Sequence, residues 1–136
     1  MRIWHYKLIE VLPKKQLTGQ WRELSAICGL ILKFGTPKSL IVDRLMDYPI
    51  SHFKKYIGFV KSEMQRRGLK PKDDIYIKLS KIDSMLFSQK NLSENELFKN
   101  WHTQRYLKQC FYNLQEKFDC GGISGEEWKK IKALKI

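Results

Sequence analysis

Between Lys14 and Lys33 the apolar residues Leu17, Trp21, Leu24, Cys28 and Ile31 recur at steps of four and three. That spacing puts them on one face of a helix over roughly 14–33. Lys15, Gln16, Gly19, Arg22, Glu23 and Ala26 fall on the opposite face. Pro13 suits the first turn, and Gly35 follows the end. A second stripe, Phe53, Ile57, Val60 and Met64, predicts a helix over 52–67, capped by Ser51 and stopped by Gly68. A third, Leu107, Cys110, Phe111, Leu114 and Phe118, lies on a helix or broken helix from the Ser93–Glu96 capping box to Asp119, ended by Gly121-Gly122. Ser124 with Glu127 forms another capping box and opens a final helix carrying Trp128, Ile131 and Leu134.

The remaining stretches are less regular. Thr36-Pro37 is a helix start signal, predicting a short helix to Asp47 that Tyr48-Pro49 ends. Residues 75–87 read two ways. Ile75, Ile77 and Leu79 alternate like a strand, whereas Ile75, Leu79, Ile82 and Leu86 fit a helix over the whole stretch, and the helix is preferred. Residues 1–12 are mixed and apolar without a period, as in an extended or irregular arm packed on the body. The expectation is an all-α fold: a single compact multi-helix domain over 1–136, with an N-terminal extended arm.

Composition narrows the setting. Length and a 43% hydrophobic content suit one domain with a proper core. No apolar run approaches the ~20 residues that span a bilayer, and Met1-Arg2-Ile3-Trp4-His5 lacks the apolar stretch of a signal peptide. A cytoplasmic, nucleoid-associated protein is expected. Cys28, Cys110 and Cys120 are not at metal-binding spacing, and the first two lie on apolar faces as buried thiols. His5, His52 and His102 form no helical i,i+4 pair, and Asp73-Asp74 suits a turn and cap better than a metal carboxylate pair. No Gly-rich phosphate loop or nucleophile elbow is present. Neither metal nor cofactor is expected.

Charge changes the picture more. Twenty-six Lys and Arg against 14 Asp and Glu give +12. So basic a domain attracts polyanions, and because every apolar stripe has partners within the chain, nucleic acid is favoured over a membrane surface. The polar face of the first helix then stands out. Glycine in a helix interior costs about 1 kcal/mol relative to alanine, and Gly19 and Ala26 leave room for something bulky beside Arg22 and Glu23. The plain alternative is a solvated charge pair of little consequence.

The opening Met1-Arg2-Ile3, the Lys15-Gln16-Leu17 step and the run Trp21-Arg22-Glu23-Leu24 resemble the pyrimidine-dimer DNA glycosylase family. Arg66-Arg67-Gly68-Leu69-Lys70-Pro71-Lys72-Asp73 resembles the family's basic segment at the end of a long helix, and the Asn113-Leu114-Gln115-Glu116-Lys117 stretch is similar to cellular relatives. The resemblance implies a glycosylase with abasic-site lyase activity, working as a monomer on damaged double-stranded DNA. Its nucleophile would be the α-amine of the first residue. A neutral α-amine is available near pH 7 because such groups have pKa values of about 7.7–8.0, against about 10.4 for lysine. Arg2 is too large for efficient methionine removal, so Met1 itself would supply the amine, and Glu23 would be the carboxylate beside the attacked sugar carbon. Arg2, Lys15, Gln16, Arg22, Arg66 and Arg67 would contact DNA. The chain departs from the family in carrying Ala26 where a basic residue is usual and Gln16 where histidine is frequent. The competing reading is a non-catalytic basic helical domain that binds DNA or RNA.

Overall fold

In the computed structural model, which describes residues 1–136, the arm runs extended over the first five residues and then forms a 3-10 turn, Tyr6–Val11. Five α-helices follow: α1 Lys14–Phe34, α2 Ile50–Arg66, α3 Asp74–Lys81, α4 Gln104–Asp119 and α5 Gly125–Lys132. There is no strand, so the fold is all-α as the periodicities predict. No helix is long and apolar enough to cross a membrane.

The stripe on α1 is the organising surface. Leu17, Trp21, Leu24, Cys28 and Ile31 are all buried, and α1 packs against both α2 and α3. The Trp21 indole N–H donates to the Lys72 carbonyl at 3.0 Å, and Ser25 Oγ donates to Asp74 at 3.0 Å, so α3 is docked by polar ties as well as apolar contact. Lys78 Nζ reaches Ser25 Oγ at 2.9 Å. The second aspartate of the Asp73-Asp74 pair thus fastens α3 to α1. The arm turn is gripped between α2 and α5. Buried residues from the arm and all five helices form one hydrophobic cluster.

Several local expectations are corrected. Helix α2 starts at Ile50 behind Pro49, with Ser51 inside its first turn. The helix expected from Pro37 is only a 3-10 turn, Val42–Asp47, because Lys38 takes a left-handed backbone (φ 55°) that no right-handed helix continues through. Helix α3 stops at Lys81, and a short 3-10 turn, Ser84–Leu86, replaces the rest of the predicted helix. The Ser93 capping box opens nothing: Ser93 Oγ accepts from the Asn95 N–H two residues on, a turn interaction. Phe98 and Asn100 then adopt positive φ, and α4 begins only after Thr103, whose hydroxyl accepts from the Tyr106 N–H. The arm is extended for less of its length than expected, because His5 caps the 3-10 turn by accepting from the Lys7 N–H. The Ser124–Glu127 box is present with both of its hydrogen bonds.

Two polar knots hold the arm. At its end, Glu63 is 5% exposed on the inner face of α2 and accepts from Arg66 Nε at 2.9 Å and Arg67 Nε at 2.6 Å. Arg67 also donates to the Leu12 and Glu10 carbonyls at 2.7 and 3.1 Å. Burial by itself pushes the Glu63 carboxyl up, but the two guanidinium groups outweigh it and hold it below the usual carboxylate range. At its start, His5 Nε2 donates to the His102 carbonyl at 3.0 Å, while His102 Nδ1 accepts from the Tyr6 N–H at 3.2 Å. Burial pushes both imidazoles down, His5 to about 4 and His102 to about 2, so both are neutral in the folded protein.

These shifts set an acid sensitivity. An unfolded histidine takes up a proton below its ordinary pKa of about 6.5, which the folded pair refuses, so stability falls as pH drops from there towards 4. Glu63 contributes above its unfolded pKa, about 4.3, and loses that contribution at lower pH. The thermal midpoint is therefore expected to decline in two stages on acidification. Calorimetry between pH 3 and 8 checks it: His5→Asn should lessen the first stage, with His102 supplying the remainder, and Glu63→Gln should lessen the second. A midpoint level from pH 7 to 4.5 contradicts the burial argument.

Candidate active site

The polar face of α1 meets the arm at Glu23. The Arg2 backbone N–H points at Glu23 Oε2 from 3.5 Å, the outer limit of a hydrogen bond. One backbone step further back, the Met1 α-amine lies within roughly 7 Å of that oxygen. Met1 is 48% exposed and Glu23 half-buried, so the region between them is open to a ligand.

What fixes this approach is a residue one helical turn before Glu23. Gln20 is buried, and its Oε1 accepts from the Trp4 N–H at 2.8 Å while its Nε2 donates to the Arg2 carbonyl at 3.1 Å. Tyr56 Oη, also buried, donates to the Trp4 carbonyl at 2.6 Å and sits 3.0 Å from Gln20 Oε1. From α4, Tyr106 Oη donates to the Ile3 carbonyl at 2.6 Å. Three consecutive arm residues are thus held by side chains from three helices. An extended segment with no neighbouring strand needs such partners for its backbone groups. The side chains replace a sheet and in doing so fix the backbone beside Glu23.

The other predicted residues divide into two groups. Arg2 lays its guanidinium over the Trp4 ring, 4.9 Å from the centroid, and lines an open concavity of about 490 Å³ with Ile41, Tyr106, Gln109, Tyr112 and Asn113. The Arg22 and Lys15 side chains are exposed on α1 and form no ion pair within the protein. Gln16 is half-buried, and its Oε1 has no partner. A Cβ added at Gly19 would meet only Arg22 Nη2, at 3.7 Å, so packing within the protein does not require glycine there and the face stays open. Arg66 and Arg67 are not brought to this group. Their side-chain bonds run to Glu63 and, from Arg67, to the carbonyls of residues 9–12. Among all the lysines and arginines, only Arg66, Arg67 and Lys99 form ion pairs, which leaves the positive surface unneutralised.

Gln20, Tyr56 and Tyr106 escape the reading of motifs. A signal for the first existed: Leu17, Gln20 and Leu24 are themselves spaced three and four apart, so a glutamine lies on the buried stripe. Nothing local marks the two tyrosines, which act across 52 and 103 residues of sequence.

No curated protein and no solved structure matches the chain. The family model for pyrimidine dimer DNA glycosylase matches residues 1–77, which take in the arm, α1, α2 and the start of α3. With more than half of its length matched, and the arm laid against the Arg22-Glu23 face of α1, the chain belongs to the pyrimidine dimer DNA glycosylase family.

Proposed function

We propose that the chain is a glycosylase with abasic-site lyase activity, in which the Met1 α-amine is the nucleophile and Glu23 the partner carboxylate. The family supplies the substrate class, DNA carrying pyrimidine dimers. The neutral amine adds to C1′ of the damaged nucleotide as the glycosidic bond breaks and the base departs with its electron pair. Proton transfer and opening of the sugar ring leave an iminium linking the Met1 nitrogen to C1′. Loss of a C2′ proton then expels the 3′ phosphate, cutting the strand by β-elimination. Glu23 stabilises the positive charge that develops on the sugar and carries the protons of ring opening and elimination.

The observation that carries this reading is the Arg2 N–H directed at Glu23 while Gln20 holds the Arg2 carbonyl. It keeps residue 1 beside an acid whose own side chain has no cationic partner. Arg2, and Lys15, Gln16 and Arg22 along α1, would meet the phosphates and base edges near the lesion, arginine through its planar set of donors.

Borohydride reduction of the iminium tests it. Incubated in EDTA with an abasic or dimer-bearing duplex, the protein should yield a covalent adduct whose DNA maps by peptide mass to Met1. Salt-sensitive binding with no adduct would leave a basic helical DNA-binding domain in place of the enzyme.

A further inference from the structure

Between Phe34 and Val42 the chain makes a loop whose tip is apolar and faces solvent. Leu40 is 94% exposed and Ile41 52%. A single exposed leucine is ordinary; the way this one is held is not. Pro37 and Val42 are buried on either side of it. The Ser39 N–H donates to Asp43 Oδ1 at 3.2 Å, and the Asp43 N–H donates to the Ser39 carbonyl at 2.7 Å. Lys38 takes its left-handed backbone at the start of the tip, a conformation that costs energy for a residue with a side chain. The loop is therefore braced at its base, and it presents Leu40 outward without packing it against anything.

Its surroundings are cationic and adjoin the candidate site. The Lys33 and Lys38 ammonium groups each lie 5.2 Å from the Phe34 ring centroid. Ile41 lines the same concavity as the Arg2 side chain. An apolar point flanked by cations matches a duplex at a disrupted step, with phosphates outside and stacked bases within. Of the exposed apolar residues, Ile41 and Tyr112 line the Arg2 concavity, and Leu40 is joined to it through its chain neighbour Ile41.

We infer that Leu40 is a wedge that enters the base stack of duplex DNA at the lesion, with Ile41 behind it and Lys33 and Lys38 on the flanking phosphates. This rests on the proposed repair reaction for its purpose: the amine reaches C1′ only when the duplex is opened at the lesion, and a side chain entering the stack there holds it open. Its contact is with bases, so it confers preference for duplex over single-stranded substrate.

The test separates the wedge from the chemistry. A dimer-bearing duplex carries 2-aminopurine beside the lesion, and its fluorescence reports unstacking on binding. The wild-type protein should raise the signal, Leu40→Ala should lose most of the rise, and Leu40→Phe should restore it. The ratio of duplex to single-strand nicking at an abasic site should fall about tenfold in Leu40→Ala, in keeping with loss of an intercalating side chain. So exposed a residue can be changed without loss of folding, which an unchanged thermal midpoint verifies. Covalent adduct with an undiminished rise in Leu40→Ala overturns the wedge while the chemistry stands. A Leu40-dependent rise with no borohydride adduct supports the wedge and removes the enzyme.

Discussion

Adding one residue ahead of Met1, or acetylating its amine, is expected to slow strand scission by at least about a thousandfold, the scale on which loss of a covalent catalyst is felt. Acetylation blocks the proposed nucleophile and the extra residue displaces it, and neither touches the buried bonds that fasten residues 2–4 to Gln20, Tyr56 and Tyr106. Affinity for duplex DNA should change little, because acetylation removes one charge from a large cationic excess and the extension removes none. Single-turnover gels with abasic DNA give the rate, and equilibrium titration at fixed salt gives the affinity. A blocked protein that still cuts at the unmodified rate would transfer the nucleophile to a lysine, with exposed Lys7 and Lys15 the first to examine.

Glu23→Gln should reduce the same rate by about 10²–10⁴, the usual contribution of a positioned acid–base group. The exchange keeps size and leaves an amide oxygen to receive the Arg2 N–H, so the arm stays in place. In the proposed mechanism the lost charge is the one that stabilises the cationic sugar and moves its protons. Because the substitution also removes a negative charge facing a polyanion, binding should hold or tighten. A loss in chemistry without a loss in binding distinguishes a reacting group from a structural one. If the Gln variant cuts within a few-fold of the parent, Glu23 is only a surface acid near the arm.

The parts of this architecture legible in sequence are those written in short-range repeats. The α1 stripe, the glycine stops with positive φ at Gly35, Gly68 and Gly121, and the Ser124–Glu127 box depend on neighbours within a turn or two. The segment 87–103 was not legible, because its course is set by burying Phe98 and Trp101, and local capping chemistry at Ser93 has no say in that. The same holds for the site. Glu23 and Arg22 stand out by their place on a helix with two small residues, whereas the groups that bring the arm to them are dispersed along the chain. Arg66 and Arg67 read in sequence as a DNA contact, and nothing local shows that both also bond to Glu63, a buried acid on an apolar stripe.

Tyr106 and His102 lie beyond the portion that the family model covers, yet they grip Ile3, His5 and Tyr6 at the opposite end of the chain. Cutting the polypeptide after residue 77 would keep Met1, Glu23 and the Gln20 and Tyr56 bonds to the arm, and discard the clamp from α4. The matched portion in isolation would then hold its amine on a loose tether, and its loss of rate would be entropic: the same atoms, rarely in register.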